Sequence, residues 1–162
     1  MVKEIGFEMS IRSEIKNNLA TRLRTISTAN GYSTSLIAVY EEKIPMGINL
    51  EPHEVPAILL ISGPCVIDPK GQNCIYCDWS FYLQLIHADV SDSIMETYVR
   101  EVSKAIFANS PSADRQDEYR LIHPSIYKAD ITEIEPDLNM IDANRFAIMT
   151  LKIKFITKYN LL

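Results

Sequence analysis

Glycine is scarce in this chain: there are five among 162 residues, and none belongs to a glycine-rich loop of the kind that holds phosphate groups. A nucleotide site of that type is therefore not expected. The sequence also contains no His-Glu-x-x-His segment and no Gly-x-Ser-x-Gly turn, the spacings that mark zinc proteases and serine hydrolases. On these grounds we expect no catalytic residues and no cofactor.

Cysteine is also scarce, and its number is odd. Three cysteines do not suit a secreted disulfide framework, so we expect reduced thiols. Cys74 and Cys77 have the Cys-x-x-Cys spacing of zinc and redox sites, but positions i and i+3 of a strand point to opposite faces of a sheet. The histidines at positions 53, 87 and 123 lie far apart in sequence, and we expect surface or capping roles for them. No metal site is predicted.

Clustered positive charge and long apolar runs are missing too. The net charge is −5 and no run of Lys and Arg is present, which argues against a surface that grips nucleic acid. No window reaches the roughly 18 consecutive apolar residues of a membrane span, and the first residues, MVKEIGFEMSIR, contain no apolar run of signal-peptide length. We therefore expect a protein that folds in a cytoplasm and has no membrane partner.

The chain does contain one long alternating stretch, Cys74–His87, with the sequence CIYCDWSFYLQLIH. Its odd positions are apolar and several of its even positions are polar, which is the period of a half-buried strand. It also contains the single tryptophan of the chain. We predict that this is the central strand of a sheet.

Two amphipathic helices are predicted. From Ser10 onwards, apolar residues recur every three or four positions, with Ser10 as the cap and Asn30-Gly31 as the end signal. Residues 1–9 have no clear period and are interpreted as an N-terminal arm that precedes a single α/β domain of residues 10–162. A second helix starts at Ser91 or Asp92, and its apolar stripe should lie on the sheet; the stripe comprises Ile94, Met95, Tyr98, Val102, Ile106 and Phe107.

The remaining segments predict further strands. Residues 36–42 and 55–62 are apolar runs, and the second of them should form an antiparallel hairpin with the central strand around a turn at residues 68–71. Residues 119–134 are consistent with one or two short strands, residues 135–144 with a loop, and residues 145–158 with a half-exposed strand. The predicted fold class is α+β and sandwich-like, with a mostly antiparallel or mixed sheet of four or more strands and two main helices packed on it.

The order of these elements resembles the tail terminator proteins, also called tail completion proteins, of long-tailed bacteriophages. The resemblance covers residues 10–158 and includes the proline-bearing loop KIPMGINLEPHEVP and the apolar segment PAILLISG. It implies an α/β subunit of the virion, assembled in the host cytoplasm, that forms a ring, usually a hexamer, at the head-proximal end of the tail tube. There it would end tube polymerisation and present a docking surface to the neck.

The partners implied by this resemblance are further copies of the chain, the tail tube protein, and the neck or head-tail connector proteins, while DNA only passes through the lumen. The family offers no residue motif to carry over, so the candidate interface residues come from pattern: Met46, Ile48, Leu50, Lys152, Lys154 and Tyr159. The first three lie in a loop that either folds back on the core or docks on another subunit. The lysines alternatively belong to a solvated strand face or a guarded sheet edge.

Two other functions remain open at this stage. One is a head-tail connector or neck protein of the same assembly, which would form rings but dock on the portal side. The other is a small ligand-binding module or enzyme of unknown substrate. A pocket with His87 or His123 beside Asp or Glu would favour the enzyme. A ring with a wide acidic lumen would favour the tail function.

Overall fold

A computed structural model describes residues 2–41, 51–68, 74–88, 91–107, 122–141 and 146–160, and for residues 2–10, 136–141, 146–147 and 159–160 it describes the backbone only. The predicted α+β class is confirmed, because two helices accompany a five-stranded mixed sheet. The helices are α1 (Val2–Leu23) and α2 (Asp92–Phe107), and the strands are β1 (Ala38–Glu41), β2 (Ala57–Asp68), β3 (Cys74–His87), β4 (Ile126–Ile141) and β5 (Phe146–Asn160). Short 3₁₀ helices occupy Thr28–Asn30 and Pro52–Glu54.

The strand order in the sheet is β1-β2-β3-β5-β4. Among the described strands, β1 and β2 pair in parallel, and the other three pairings are antiparallel. The predicted hairpin of β2 and β3 is confirmed. The central position of β3 is also confirmed, and its bounds match the alternating stretch in the sequence. The two strands with the longest alternation, β3 and β5, are therefore neighbours at the centre of the sheet.

One face of the sheet, here called the helix face, carries the core. The odd-numbered side chains of β3 and β5 point to it, and Phe81 meets Phe155 edge-on with ring centroids 5.9 Å apart. The Trp79 indole N–H donates to Thr157 Oγ1 over 2.8 Å, which satisfies both buried groups. The even-numbered side chains form the opposite face, here called the polar face, which contains Tyr82 and Lys154.

Both helices bury one stripe on the helix face. In α1 and the turn after it, the buried residues are Ile11, Ile15, Leu19, Ala20, Leu23 and Ile26. In α2 they are Tyr98, Glu101, Val102, Ala105 and Ile106. Each fully buried Leu or Ile stabilises the fold by about 1.5–3 kcal/mol. The predicted cap of α2 is also present, because Ser91 Oγ accepts a hydrogen bond from the Ile94 amide over 3.4 Å.

The predicted bounds of the first helix are wrong at both ends. The helix begins at Val2, so Ser10 lies inside it and does not cap it. Residues 2–9 include Lys, Glu and Met, which favour helix, and extending an existing helix costs less than nucleating one. The helix ends at Leu23, and the left-handed Gly31, with φ of 85°, instead ends the short 3₁₀ helix that follows. The division into an arm and a domain stays a prediction.

Two strands are longer than predicted. β2 does not end at Gly63 but continues to Asp68, with a shift in its pairing between Ser62 and Cys65. β4 is one continuous strand from Ile126 that includes most of the predicted loop at residues 135–144. Its position at the sheet edge explains why it tolerates Pro136, since a proline there removes no donor from an internal ladder.

Candidate functional site

The structure places only part of the predicted interface. Met46, Ile48 and Leu50 lie outside the described residues. Tyr159 lies in β5, where its backbone pairs with Ile75 of β3. Lys152 and Lys154 lie two residues apart in the same strand, and these two are the predicted residues that the structure brings together on one face, while their role in an interface stays a prediction.

The two lysines are held by neighbours on the polar face. Lys154 Nζ lies 2.8 Å from Asp78 Oδ2 of the adjacent strand. Lys152 Nζ lies 5.8 Å from the centroid of the Tyr82 ring, within cation–π range. The alternative that these lysines guard a sheet edge is wrong, because β5 lies between β3 and β4.

Acidic residues of β4 flank the same lysines. Asp130 pairs in register with Lys154, and Glu133 pairs with Lys152. Nearer the start of β4, Lys128 Nζ lies 3.2 Å from Asp130 Oδ2. The described polar face therefore has interspersed charges of both signs. Such a surface suits hydrated contacts with a protein better than a grip on phosphate, which needs uncompensated positive charge.

Sequence reasoning missed a cluster around His123. Its Nε2 lies 2.7 Å from Glu14 Oε2, and its Nδ1 lies 2.6 Å from Ser125 Oγ and accepts a hydrogen bond from the Ser125 amide over 3.1 Å. A serine, a histidine and a carboxylate in a row have the order of a hydrolase triad. No local sequence signal could reveal it, because Glu14 and His123 are 109 residues apart.

The contacts of this cluster hold the segment before β4 against α1. The Ser125 amide and hydroxyl both hydrogen-bond to Nδ1 of His123, two residues earlier. The carbonyl of Ile122, the residue before His123, accepts a hydrogen bond from Asn18 Nδ2 over 2.6 Å. Glu14 and Asn18 lie one turn apart on α1. Together they tie the segment before β4 to the helix, and we name these contacts the α1–β4 clasp.

Exposed apolar side chains lie along the two outer edges of the sheet, which are called here the β2 side and the β4 side. Among the described residues, five large hydrophobic side chains are about half exposed: Ile37 57%, Val66 57%, Ile67 54%, Tyr127 56% and Ile134 48%. Val66 and Ile67 belong to β2, Tyr127 and Ile134 belong to β4, and Ile37 stands apart from these four, immediately before β1. The sequence analysis missed the four strand residues because it ended the second strand at residue 62 and interpreted residues 119–134 as one or two short strands. Exposed apolar residues concentrated in this way tend to mark interfaces.

Two of the hollows in the described structure lie beside β4 and β2. One lies between α2 and β4 and has a volume of about 430 Å³; its apolar lining includes Met95, Val99 and Ile134, and its charged lining includes Asp92, Glu96 and Arg100. The other has a volume of about 400 Å³ and is lined by Arg12, Ser13, Lys16 and Ser62, at the β2 side of the sheet. The first is apolar with two carboxylates and one guanidinium, and the second is basic.

Neither hollow has the chemistry of a metal centre. Among the described residues, no group of three or more His, Cys, Asp or Glu side chains is placed to hold a metal ion. Cys65, Cys74 and Cys77 form no disulfide bond. Neither described helix combines the length and the apolar character required to cross a bilayer.

Comparisons with known proteins find similar chains among solved structures. No protein-family model matches the chain, and no curated protein does. Among solved structures, the chain is similar to one from a structure described as "Virion of native gene transfer agent (GTA) particle", with 11% sequence identity and a TM-score of 0.49, over 87% of this chain and 92% of that chain. A likeness at this level of identity and TM-score assigns neither a family nor a role to the chain.

Proposed function

We propose that the chain is a structural subunit of a long-tailed phage virion that forms a ring on the head-proximal end of the tail tube, ends tube polymerisation and presents a docking surface to the neck. The observation that carries the proposal is the concentration of exposed apolar side chains on the two sides of the sheet. The element order that resembles the tail terminators supports it further. The role is binding alone, without a catalytic step.

The two sides of the sheet are different surfaces, and this difference favours a ring. A contact between two different patches of one subunit is heterologous, and it generates a closed ring when the rotation between copies closes. The β2 side offers Val66 and Ile67, while the β4 side offers Tyr127 and Ile134. Each copy can therefore contact two neighbours at once.

The polar face suits passage of DNA without capture. The Lys154 ammonium is paired with Asp78, and Lys152 lies in register with Glu133 of β4, so a carboxylate accompanies each positive charge. The net charge of −5 acts in the same direction. In the proposed ring, DNA contacts the lumen only in transit, since strong binding would need several unpaired Lys or Arg side chains.

A head-tail connector of the same assembly would also form rings, so the proposal needs a test on tail tubes. The experiment measures the length distribution of cognate tail tubes by electron microscopy after polymerisation with and without the purified chain. We expect tubes of defined length with one ring at one end. Tubes that keep growing, with the chain bound instead to portal-bearing heads, would support the connector and overturn the terminator.

The enzyme alternative has one observation in its favour, the order Glu14–His123–Ser125. It predicts that the purified chain hydrolyses an activated ester such as p-nitrophenyl acetate and that Ser125→Ala abolishes this hydrolysis. We expect no hydrolysis above that of an imidazole solution at the same histidine concentration. A rate that depends on Ser125 would refute a purely structural role.

A further inference from the structure

We propose that successive copies of the chain join through opposite sides of the sheet, with the β2 side of one copy against the β4 side of the next. The inference rests on the ring in the proposed function and names the surfaces that build it. The β2 side comprises residues 61–68 with the basic hollow beside them. The β4 side comprises residues 126–135 with the apolar hollow between β4 and α2.

The β2 side offers an incomplete edge. β1 pairs only with Ala57–Leu60 of β2. From Ile61 to Asp68, β2 pairs with β3 on one side, and no described strand lies on its other side. An edge of this kind presents backbone N–H and C=O groups for pairing with another chain. Here it also carries Val66 and Ile67, both more than half exposed.

The β4 side offers a matching apolar surface. β4 is the last strand in the sheet order, and Ile134 is 48% exposed at the mouth of the hollow that Met95 and Val99 of α2 also line. Tyr127, 56% exposed, stands nearer the start of the strand. Through the pairings across the sheet, Ile134 lies at the level of Leu60 of β2, which β1 covers with Glu41, so the end of β1 in the neighbouring copy would lie over Ile134.

The two sides lie at the same height in the sheet. Val66 pairs with Asp78 of β3, Asp78 pairs with Ile156 of β5, and Ile156 pairs with Lys128 of β4. Three antiparallel steps separate β2 from β4, so the two strands run in opposite directions. If the next copy keeps its helices on the same side, its β4 therefore lies antiparallel beside β2, with Tyr127 near Val66.

The charges of the two sides favour a junction between a β2 side and a β4 side over a junction between two identical sides. Arg12 and Lys16 line the hollow beside Ser62 on the β2 side, and Arg12 is fixed there by a hydrogen bond to the Gly63 carbonyl. The hollow on the β4 side includes Asp92, Glu96 and Arg100, so its charged lining is negative by one. Joining two β2 sides would place cations together, and joining two β4 sides would place two hollows of negative charge together. Like charges across an interface are costly, so the unlike pairing is favoured.

Few backbone groups of β4 are available for strand pairing at this junction. The pairing of β4 with β5 shifts between Ile126 and Lys128 and again between Ile131 and Glu133, so within residues 126–135 regular pairing is confined to the short runs 128–131 and 133–135. Bulges restrict edge pairing. Apolar side chains therefore contribute most of the contact, and Val66, Ile67 and Ile134 are the residues whose change disrupts it.

The test uses one charged substitution on each side. Val66→Lys alters the β2 side, Ile134→Lys alters the β4 side, and Ile37→Lys is the matched control. Ile37 is as exposed as Val66, at 57%. It lies beyond the far end of the β1–β2 pairing, roughly 30 Å from Val66 at about 3.3 Å per residue. Circular dichroism confirms that each variant is folded, and light scattering and native mass spectrometry give the assembly size, with and without tail tubes.

We expect Val66→Lys and Ile134→Lys each to be monomeric and Ile37→Lys to assemble as the wild type does. A 1:1 mixture of the two defective variants should stop at dimers, because each pair retains one intact junction. If the wild type forms rings and both variants form them too, the inference is overturned, while the proposed ring is retained. A dimer formed by either defective variant alone would show a like-with-like contact and overturn it too. A wild type that stays monomeric with and without tubes would refute the inference together with the ring.

Discussion

The Glu14 carboxylate lies 2.7 Å from His123 Nε2 and fastens the middle of α1 to the segment that leads into β4. The His123 side chain is only 11% exposed, whereas that of Glu14 is 55% exposed. The two members of this pair should therefore contribute differently to stability. An exposed ionic partner contributes little, while a buried ring with two hydrogen-bonded nitrogens contributes more.

His123→Ala should lower the free energy of unfolding by about 1–3 kcal/mol, because it leaves the Ser125 amide without its acceptor and opens space against α1. Glu14→Gln keeps a hydrogen-bonding side chain of the same size and should change it by less than about 1 kcal/mol. Urea denaturation measures both values. Equal losses in the two variants would show that the contact between Glu14 and His123 Nε2, and not the packing and other hydrogen bonds of the ring, stabilises the clasp.

Gly63→Ala should destabilise the hairpin of β2 and β3. A Cβ at this position would lie 2.8 Å from Cε2 of Tyr82 and 3.0 Å from the Ser80 carbonyl oxygen, and the backbone contact cannot be relieved by a side-chain rotation. Overpacking of this kind costs about 1–3 kcal/mol.

Gly31→Ala is the matched control for Gly63→Ala. The φ of Gly31 is +85°, but a Cβ there would meet no atom within 4 Å. Its cost should be that of the left-handed backbone alone, about 1–2 kcal/mol. If Tyr82→Ala restored the stability of Gly63→Ala fully, the tyrosine ring and not the Ser80 carbonyl would be the obstacle.

Thr157→Val should destabilise the fold by about 1–3 kcal/mol, because it keeps the size of a fully buried side chain but leaves the Trp79 indole N–H without an acceptor. Trp79 is the single tryptophan, so its fluorescence should report the change directly. Thr150→Val, at a half-buried position of the polar face in the same strand, is the control and should have little effect on either measurement. An unchanged emission spectrum in Thr157→Val would contradict the proposed hydrogen bond.

Tyr98 should ionise at higher pH than an ordinary tyrosine. Burial raises the pKa of its phenol above the usual 10.0, and the hydrogen bond with Thr34 offsets part of that rise. Because the folded pKa exceeds the unfolded one, Tyr98 stabilises the fold fully below about pH 10, and this contribution is lost as the pH rises towards the folded pKa. Absorbance at alkaline pH should show a late tyrosinate component that Tyr98→Phe removes. A titration unchanged by Tyr98→Phe would contradict the shift.

The sequence predicted the elements whose patterns are local. The alternation in Cys74–His87 predicted β3 with its bounds, since every odd position there faces a core that both helices cover. β4 was predicted less well, because its pairing depends on β5 and not on its own composition. Residues 135–144 were predicted as a loop, and only the strand order shows that Pro136 lies on an outer strand.

The candidate site was predictable only in part. Lys152 and Lys154 followed from the two-residue period of β5. The α1–β4 clasp joins residues more than 100 positions apart, and no local pattern indicates such a contact. The exposure of Val66 and Ile134 was equally hidden, since an apolar residue in a strand is expected to be buried until the strand order identifies it as part of an outer edge.

The position of β5 in the sheet also affects biosynthesis. β3 has β2 on one side and β5 on the other, and β5 is formed by residues 146–160. The β2–β3 hairpin leaves the ribosome early, but the backbone edge of β3 that pairs with β5 stays unpaired until about seventy more residues have been translated. Long-range pairing of this kind slows folding and prolongs the lifetime of aggregation-prone intermediates. Nascent chains of this protein should therefore engage a chaperone until β5 emerges.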